Sequence, residues 1–294
     1  MTRPVPVGQD GIRHAQDVAF FRCTIDNRIS MITSAKTIAE QFESLGGGSL
    51  NLNGWSFGCE FGYWQRSLHL EPLGLLRWAS ISPDNLLRGL EAGFAGVEDE
   101  AALELRALTG SDWGYTQTTY GMYMDHSGME QDKVPAAQAK AALAKSMGFL
   151  RDKLLHDLAL GEKLFVYRTY DHIVDDGMQC ALADAIGRLG NGVLCYVQHA
   201  AEGRLPFTAV RKTPNLIVGY IDHFAPVEGR LDYNPIGWEA VCRAALDVWP
   251  TGIQTQRAPS GMDYLALNQP AFQTLPPAEP GARRLSRLRR WLGL

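Results

Sequence analysis

The sequence has few cysteines and no paired cysteine motif, which excludes several classes of protein. It contains five cysteines in 294 residues, scattered and without a Cys-x-x-Cys pair. An odd, scattered set is typical of a reducing compartment rather than of a disulfide framework. Without paired ligands, a structural zinc site is not expected. We therefore predict a cytoplasmic protein that carries no metal and no cofactor.

Several other features are absent. No apolar run is long enough to span a membrane, and the first eight residues lack the apolar core of a secretory signal. The net charge is −4, which argues against nucleic-acid binding. No GxxxxGK[ST] motif occurs, and no GxGxxG follows the first predicted strand. With 46% hydrophobic and 20% charged residues, the composition is that of an ordinary globular protein.

The second half of the chain alternates between short apolar strands and helices. Strands are predicted at 163–168, 193–197 and 216–221, and helices at 177–189 and from Asn234-Pro235 through Leu246. This alternation predicts an α/β fold with a largely parallel twisted sheet flanked by helices.

The first half is predicted from caps and composition. Helices are expected at 36–45, 82–94 and 135–161, and extended segments at 18–25, 103–108 and 114–124. The predicted organisation is an N-terminal arm over 1–14, one α/β domain over 15–250, a Pro/Gly-rich linker over 251–282, and a basic amphipathic helix over 283–294.

The last twelve residues combine basic and apolar side chains. They contain five arginines and no acidic residue, with leucines on one helical face and a tryptophan beside it. Such a helix suits an anionic membrane surface or an acidic partner, so the tail is expected to hold the protein at a membrane surface or to bind a partner. A solvated tail is the alternative. The docking residues would be Arg283, Arg284, Leu285, Arg287, Leu288, Arg289, Arg290 and Trp291.

Cys59 occupies a predicted corner between an extended segment and a helix. A helix N-terminus favours a thiolate, and Gly58 and Gly62 would allow close approach to the backbone. Cys59 is therefore a candidate nucleophile, although buried cysteines are often simply packing residues.

Three Asp-His dipeptides follow predicted strands: Asp125-His126, Asp171-His172 and Asp222-His223. Ligands of doubly wound sheets bind beyond the carboxyl ends of the strands, so these pairs could converge on one rim. They could supply a base with an orienting carboxylate, hold a metal, or satisfy turn backbones.

Several blocks of the sequence resemble a known family. The blocks are Gly58-Cys59-Glu60-Phe61-Gly62, Gln65-Arg66, Glu71-Pro72-Leu73-Gly74-Leu75-Leu76-Arg77, Tyr120-Gly121-Met122 with Asp125-His126, 164–167 and 219–226. Over residues 50–250 they resemble a bacterial family of unknown function. That family is similar to papain-like cysteine peptidases and is often associated with glycosyltransferases of surface-polysaccharide assembly.

The resemblance implies a cysteine hydrolase or acyltransferase acting on a glycan or its lipid-linked precursor. It also implies a location peripheral to the inner membrane, where the C-terminal tail would bind a membrane glycosyltransferase complex. Cys59 would be the nucleophile and His126 the base. No carboxylate stands in Pro72-Leu73-Gly74-Leu75, where the related peptidases carry an aspartate, so Asp171 and Asp222 are the candidates for orienting the base. Substrate contacts are expected from Glu60, Gln65, Arg66, Arg77, Tyr120 and His223. The alternatives are a non-catalytic accessory protein of a polysaccharide synthase complex and a sugar-nucleotide-dependent transferase.

Overall fold

The computed structural model describes residues 34–48, 59–107, 112–169, 173–201, 203–224 and 233–249. The predicted N-terminal arm, the strand at 18–25, the linker and the basic tail lie outside these residues. The helices are α1 (residues 34–39), α2 (Glu60–Ser67), α3 (Pro83–Glu91), α4 (Ala136–Leu160), α5 (Asp176–Leu189) and α6 (Pro235–Val248). The strands are β1 (Phe42–Gly48), β2 (Leu103–Ala107), β3 (Trp113–Gln117), β4 (Met122–Met124), β5 (Leu164–Thr169), β6 (Val193–His199), β7 (Thr208–Thr213) and β8 (Leu216–Ile221).

A mostly parallel five-stranded sheet forms the centre of the structure. Its strand order is β1-β5-β6-β8-β7. Strands β1, β5, β6 and β8 run parallel, and β7 pairs antiparallel with β8. The predicted α/β class is therefore confirmed. We call the side of the sheet where the four parallel strands finish its carboxyl end, and the opposite side its amino end.

Helices cover both faces of this sheet because successive strand residues point to opposite faces. In β5, Leu164 and Val166 pack in the apolar cluster that contains residues of α1, α2 and α6. Their neighbours Phe165 and Tyr167 pack in the cluster that contains residues of α3, α4 and α5. The near-continuous apolar composition of β5, β6 and β8 follows from burial on both faces.

A second, antiparallel sheet of β2, β3 and β4 is joined to the first through a single residue. Ser80 forms a parallel bridge with Gly47 of β1 and an antiparallel bridge with Tyr123 of β4. Strand β4 therefore runs opposite to β1, and the chain that leaves Met124 heads towards the amino end of the main sheet.

The prediction of a helix over Lys36–Leu45 is wrong for the second half of that range. Helical structure ends at residue 39, and Phe42–Gly48 form β1, which is buried throughout. The parallel pairing of β1 with β5 outweighs the local helical pattern. Gly46 has a φ of +78°, and a Cβ atom there would lie 2.5 Å from the carbonyl oxygen of Ala79. This glycine therefore belongs to a tightly packed strand rather than to a helix terminus.

Candidate functional site

The N-terminus of α2 lies at the carboxyl end of the sheet. Near the other end of α2, Gln65 Nε2 donates hydrogen bonds to the carbonyl oxygens of Ala39 and Phe42, where β1 begins. The helix therefore runs antiparallel to β1. At its first residue, Glu60 Oε2 lies 3.3 Å from Nη2 of Arg168, near the end of β5. This is where ligands bind in open α/β sheets.

Cys59 is the N-cap residue of α2, so the predicted helix start is confirmed. Its side chain is half-buried, and Sγ donates a hydrogen bond to the carbonyl oxygen of Trp78 at 3.3 Å. The contact is that of a protonated thiol, because a thiolate has no proton to donate. The helix N-terminus acts in the opposite sense and favours a negative charge on sulfur.

Glu60 connects α2 to two other elements. Its Oε1 accepts a hydrogen bond from the backbone N–H of Asn234 at 3.0 Å, while Oε2 faces Arg168. Both charged side chains are 2% exposed. The Arg168 guanidinium also lies over the ring of Phe224, 4.6 Å from its centroid. Glu60 is thus a fixed, buried part of the carboxyl end, and a contact with substrate remains a prediction.

Asp222 and His223 form an oriented pair directly after β8. His223 Nδ1 lies 2.8 Å from Asp222 Oδ2. The other carboxylate oxygen, Oδ1, accepts a hydrogen bond of 2.9 Å from Asn234 Nδ2, which also donates to the His223 carbonyl. In a neutral histidine that donates from Nδ1 to a carboxylate, Nε2 carries no proton and can accept one. The His223 side chain is 45% exposed, so a ligand can reach it.

Asn234 holds this arrangement together. Its Oδ1 caps α6 by accepting a hydrogen bond from the Gly237 N–H at 2.9 Å, as the sequence predicts. Through its backbone N–H and its Nδ2, the same residue contacts Glu60 and Asp222. The contacts Glu60–Asn234–Asp222–His223 therefore link the residue after Cys59 to the Asp-His pair.

His126 is placed differently. It follows β4, which points towards the amino end, and its side chain is 65% exposed. Its Nδ1 lies 3.7 Å from Asp112 Oδ2. The two Asp-His pairs that the structure describes therefore follow strands of opposite direction, β4 and β8. Asp171 and His172 lie outside the described residues.

Three further predicted binding residues use their polar groups within the protein. Arg77, which is 3% exposed, donates to Glu71 and to the carbonyls of Pro72, Gly62 and Leu70. Tyr120 is buried, and its hydroxyl donates to the carbonyl of Ala95 at 2.7 Å. Gln65 holds the start of β1, as described above. These roles are structural, whereas substrate contacts by these residues stay predictions.

Arg66 remains at the surface. Its side chain is 42% exposed and pairs with Glu71, and its guanidinium stacks on the Trp78 ring at 4.4 Å. Arg66 is the predicted binding residue on α2 that retains an accessible charge.

Sequence reasoning missed the roles of Arg168 and Trp78 at this site. Arg168 ends an otherwise apolar run in β5, and a charge at that position was the available signal. Trp78 gave no signal, because it acts through its carbonyl oxygen towards Cys59.

No metal ligand set is present among the described residues, where no three His, Cys, Asp or Glu side chains are grouped to hold an ion. None of the described helices is long and apolar enough to cross a membrane. No family model, no curated protein and no solved structure matches the chain. The site is therefore interpreted from its geometry, and the docking residues of the basic tail, 283–294, fall outside the described part.

Proposed function

We propose that the protein is a cysteine-dependent hydrolase or acyltransferase, with Cys59 as nucleophile, His223 as base and Asp222 as the residue that orients the base. The single observation that carries the proposal is the bridge made by Asn234. It bonds both to Glu60, which follows Cys59, and to the Asp222-His223 pair. The proposed nucleophile and base therefore lie on neighbouring segments at the carboxyl end of the sheet, and the hydrogen bonds of Asn234 join these segments.

The chemistry follows from the types of group present. The Cys59 thiol loses its proton to His223 Nε2, and the thiolate attacks an acyl carbon of the substrate. A thioester forms as the bond to the leaving group breaks, and the histidine returns its proton to the leaving group. Water or an acceptor hydroxyl then attacks the thioester, which regenerates the thiol. Backbone N–H groups at the start of α2 are the candidate oxyanion donors.

This assignment replaces His126 by His223 as the base. A carboxylate oxygen of Asp222 at 2.8 Å supports His223, whereas the carboxylate of Asp112 lies 3.7 Å from His126. In this structure the Cys59 thiol donates a hydrogen bond to the carbonyl oxygen of Trp78. The Cys59 side chain must therefore break this hydrogen bond before it can transfer its proton to His223.

The proposed substrate is a surface glycan or its lipid-linked precursor, and this rests on the sequence resemblance alone. The same resemblance supports a place beside a membrane glycosyltransferase, reached through the basic tail. Arg66, the exposed cation of α2, is the candidate contact for an acidic group of such a substrate.

A non-catalytic accessory protein is the second candidate. The contacts described above also satisfy ordinary structural needs, since Asn234 caps α6 and the Cys59 thiol is bonded to a carbonyl. On this hypothesis Cys59 packs, Asp222 and His223 complete a turn, and the protein acts through a partner.

Reaction with p-nitrophenyl acetate separates these two candidates. We expect nitrophenolate release with an acetyl group on Cys59, located by peptide mass spectrometry. Cys59→Ser should abolish this acetylation, and His223→Ala should slow it at least about tenfold, since general base catalysis contributes a factor of about 100 or more. His126→Ala is the matched control and should react like the unaltered protein. A protein in which Cys59 is not acetylated would favour the accessory role.

A further inference from the structure

Resting on the proposed function, we propose that Arg77 promotes ionisation of Cys59 and that Glu71 limits this effect. On this view the two side chains together set the reactivity of the thiol. Arg77 would be a positioning residue, since it acts on Cys59 and does not touch the reacting atoms. The segment 70–78 would then be the part of the molecule that tunes the nucleophile.

Arg77 lies against the first turn of α2, the turn that Cys59 caps. Its Nη2 donates to the carbonyl of Gly62 at 3.2 Å, and its guanidinium stacks on the ring of Trp78 at 4.5 Å. The carbonyl of Trp78 is in turn the acceptor for the Cys59 thiol. A buried positive charge and the candidate nucleophile therefore share the same two neighbours, Trp78 and the start of α2.

The charge on Arg77 is only partly compensated. Burial lowers the pKa of Arg77 to about 10, so the guanidinium stays charged at neutral pH, while the charges of Glu71 and of a Cys59 thiolate favour its charged form. Coulombic attraction is mutual, so the guanidinium favours the thiolate in return. Its buried Nε atom makes no hydrogen bond within the described part of the chain.

Glu71 is the side chain that moderates this charge. Its carboxylate contacts Arg77 Nη1 at 2.6 Å and Arg66 Nε at 2.5 Å. Partial burial acts to raise the pKa of Glu71, but the hydrogen bond from Arg66 and the charge of Arg77 outweigh it and hold this pKa below its usual value. Glu71 is therefore ionised at neutral pH. Its negative charge offsets part of the field of Arg77 at Cys59.

Glu71 is in contact with both Arg66 and Arg77, so the charges of Glu71 and Arg66 allow opposite effects to be predicted. Glu71→Gln removes a negative charge and leaves Arg77 and Arg66 in place, so the thiolate should be favoured. Arg66→Gln removes a positive charge, and the carboxylate of Glu71 then pairs with Arg77 alone. The Glu71 charge should therefore offset more of the Arg77 charge, and the thiolate should be disfavoured. The remaining described charge on this helix turn, Glu60, is paired with Arg168 in both variants.

The test is the rate of Cys59 alkylation by iodoacetamide as a function of pH, followed at the Cys59 peptide. At pH 7 we expect Glu71→Gln to react about three times faster than the unaltered protein, which corresponds to a pKa lower by about half a unit. Arg66→Gln should react more slowly. Glu91→Gln is the matched control, because Glu91 is also 53% exposed and paired with an arginine, Arg188, but lies on α3.

A Glu71→Gln profile that coincides with those of the unaltered protein and of Glu91→Gln would overturn the inference. Failure of this inference can be distinguished from failure of the proposed function. If alkylation responds to Glu71 but Cys59 is never acetylated by p-nitrophenyl acetate, the inference stands and the catalytic role fails. If Cys59 is acetylated but its alkylation rate is unchanged in Glu71→Gln, the catalytic role stands and the inference fails.

Discussion

The carboxylate of Glu60 accepts a hydrogen bond from the backbone of Asn234 at 3.0 Å, across 174 positions of sequence. The contact fastens the start of α2 to the start of α6. Since Glu60 follows Cys59 and Asn234 also donates a hydrogen bond to Asp222, two segments that are distant in sequence are joined as one hydrogen-bonded unit. The proposed nucleophile and base depend on this unit for their relative position.

Asn234→Ala should damage both stability and reactivity. It removes the cap of α6, which costs about 1–2 kcal/mol, and it also removes the hydrogen bond that orients Asp222. We expect a lower free energy of unfolding in urea and slower acetylation of Cys59 under conditions where the variant is fully folded.

Asp175→Ala provides the control for this prediction. Asp175 caps α5 in the same way, by accepting a hydrogen bond from the Met178 N–H, and within the described part of the chain it makes no hydrogen bond to Asp222 or His223. Asp175→Ala should lose about as much stability as Asn234→Ala, but its Cys59 should be acetylated at the rate of the unaltered protein. Equal acetylation rates in the two variants would contradict a positioning role for Asn234.

The stability of the protein should fall as pH rises from 4.5 to about 7 because of Glu43. This side chain is buried at the amino end of the sheet, with Oε2 3.1 Å from Lys153 Nζ and 3.5 Å from Lys163 Nζ. Burial and a hydrogen bond shared with Asp157 raise the pKa of Glu43 from 4.5 to about 7, against the lowering effect of the two lysines.

The direction of the pH dependence follows from proton binding. Between pH 4.5 and about 7 the folded protein holds a proton on Glu43 that the unfolded chain has lost. Stability therefore falls as pH rises, by at most about 1.4 kcal/mol per pH unit. Urea unfolding of Glu43→Gln, which keeps the shape but cannot ionise, should show a flatter profile over pH 5–8. Parallel profiles would show that Glu43 is already ionised across this range.

Gly46→Ala should destabilise the protein more than Gly96→Ala. Both glycines have positive φ, +78° and +75°, so alanine costs about 1–2 kcal/mol at either position. A Cβ atom at position 46 would also lie 2.5 Å from the carbonyl oxygen of Ala79. A Cβ atom at position 96 would have no other atom within 4 Å among the described residues. Overpacking should add about 1–3 kcal/mol at Gly46 only, measured by thermal or urea unfolding. Equal losses would argue against the tight packing of β1 on residue 79.

Local sequence patterns were sufficient to predict the elements whose apolar residues and boundary residues both stand within a short stretch of sequence. Strands β5, β6 and β8 are apolar runs bounded by turn residues, and α4 extends from Pro135 to the left-handed Gly161, as predicted. Strand β1 was missed because its glycine-rich sequence is extended only through pairing with β5, more than 100 residues later. Such pairing leaves no periodic pattern in β1 itself.

The candidate site was predictable in part for the same reason. Asp222 and His223 follow a recognisable strand, and Asn234-Pro235 is a recognisable helix start, so each could be identified locally. Their connection to Glu60 is a tertiary contact that no local pattern contains. The choice of His126 as base came from the resemblance, and the direction of β4 through the Ser80 bridge was needed to question it.

The most direct test of the proposed mechanism is the pH dependence of Cys59 alkylation in three proteins: the unaltered chain, His223→Ala and His126→Ala. An activated nucleophile predicts a midpoint well below the ordinary thiol value of about 8.5 in the unaltered chain and in His126→Ala, with a shift towards that value in His223→Ala. A midpoint near 8.5 in all three proteins, or a shift in His126→Ala instead, would contradict the assignment of Cys59 and His223 as nucleophile and base.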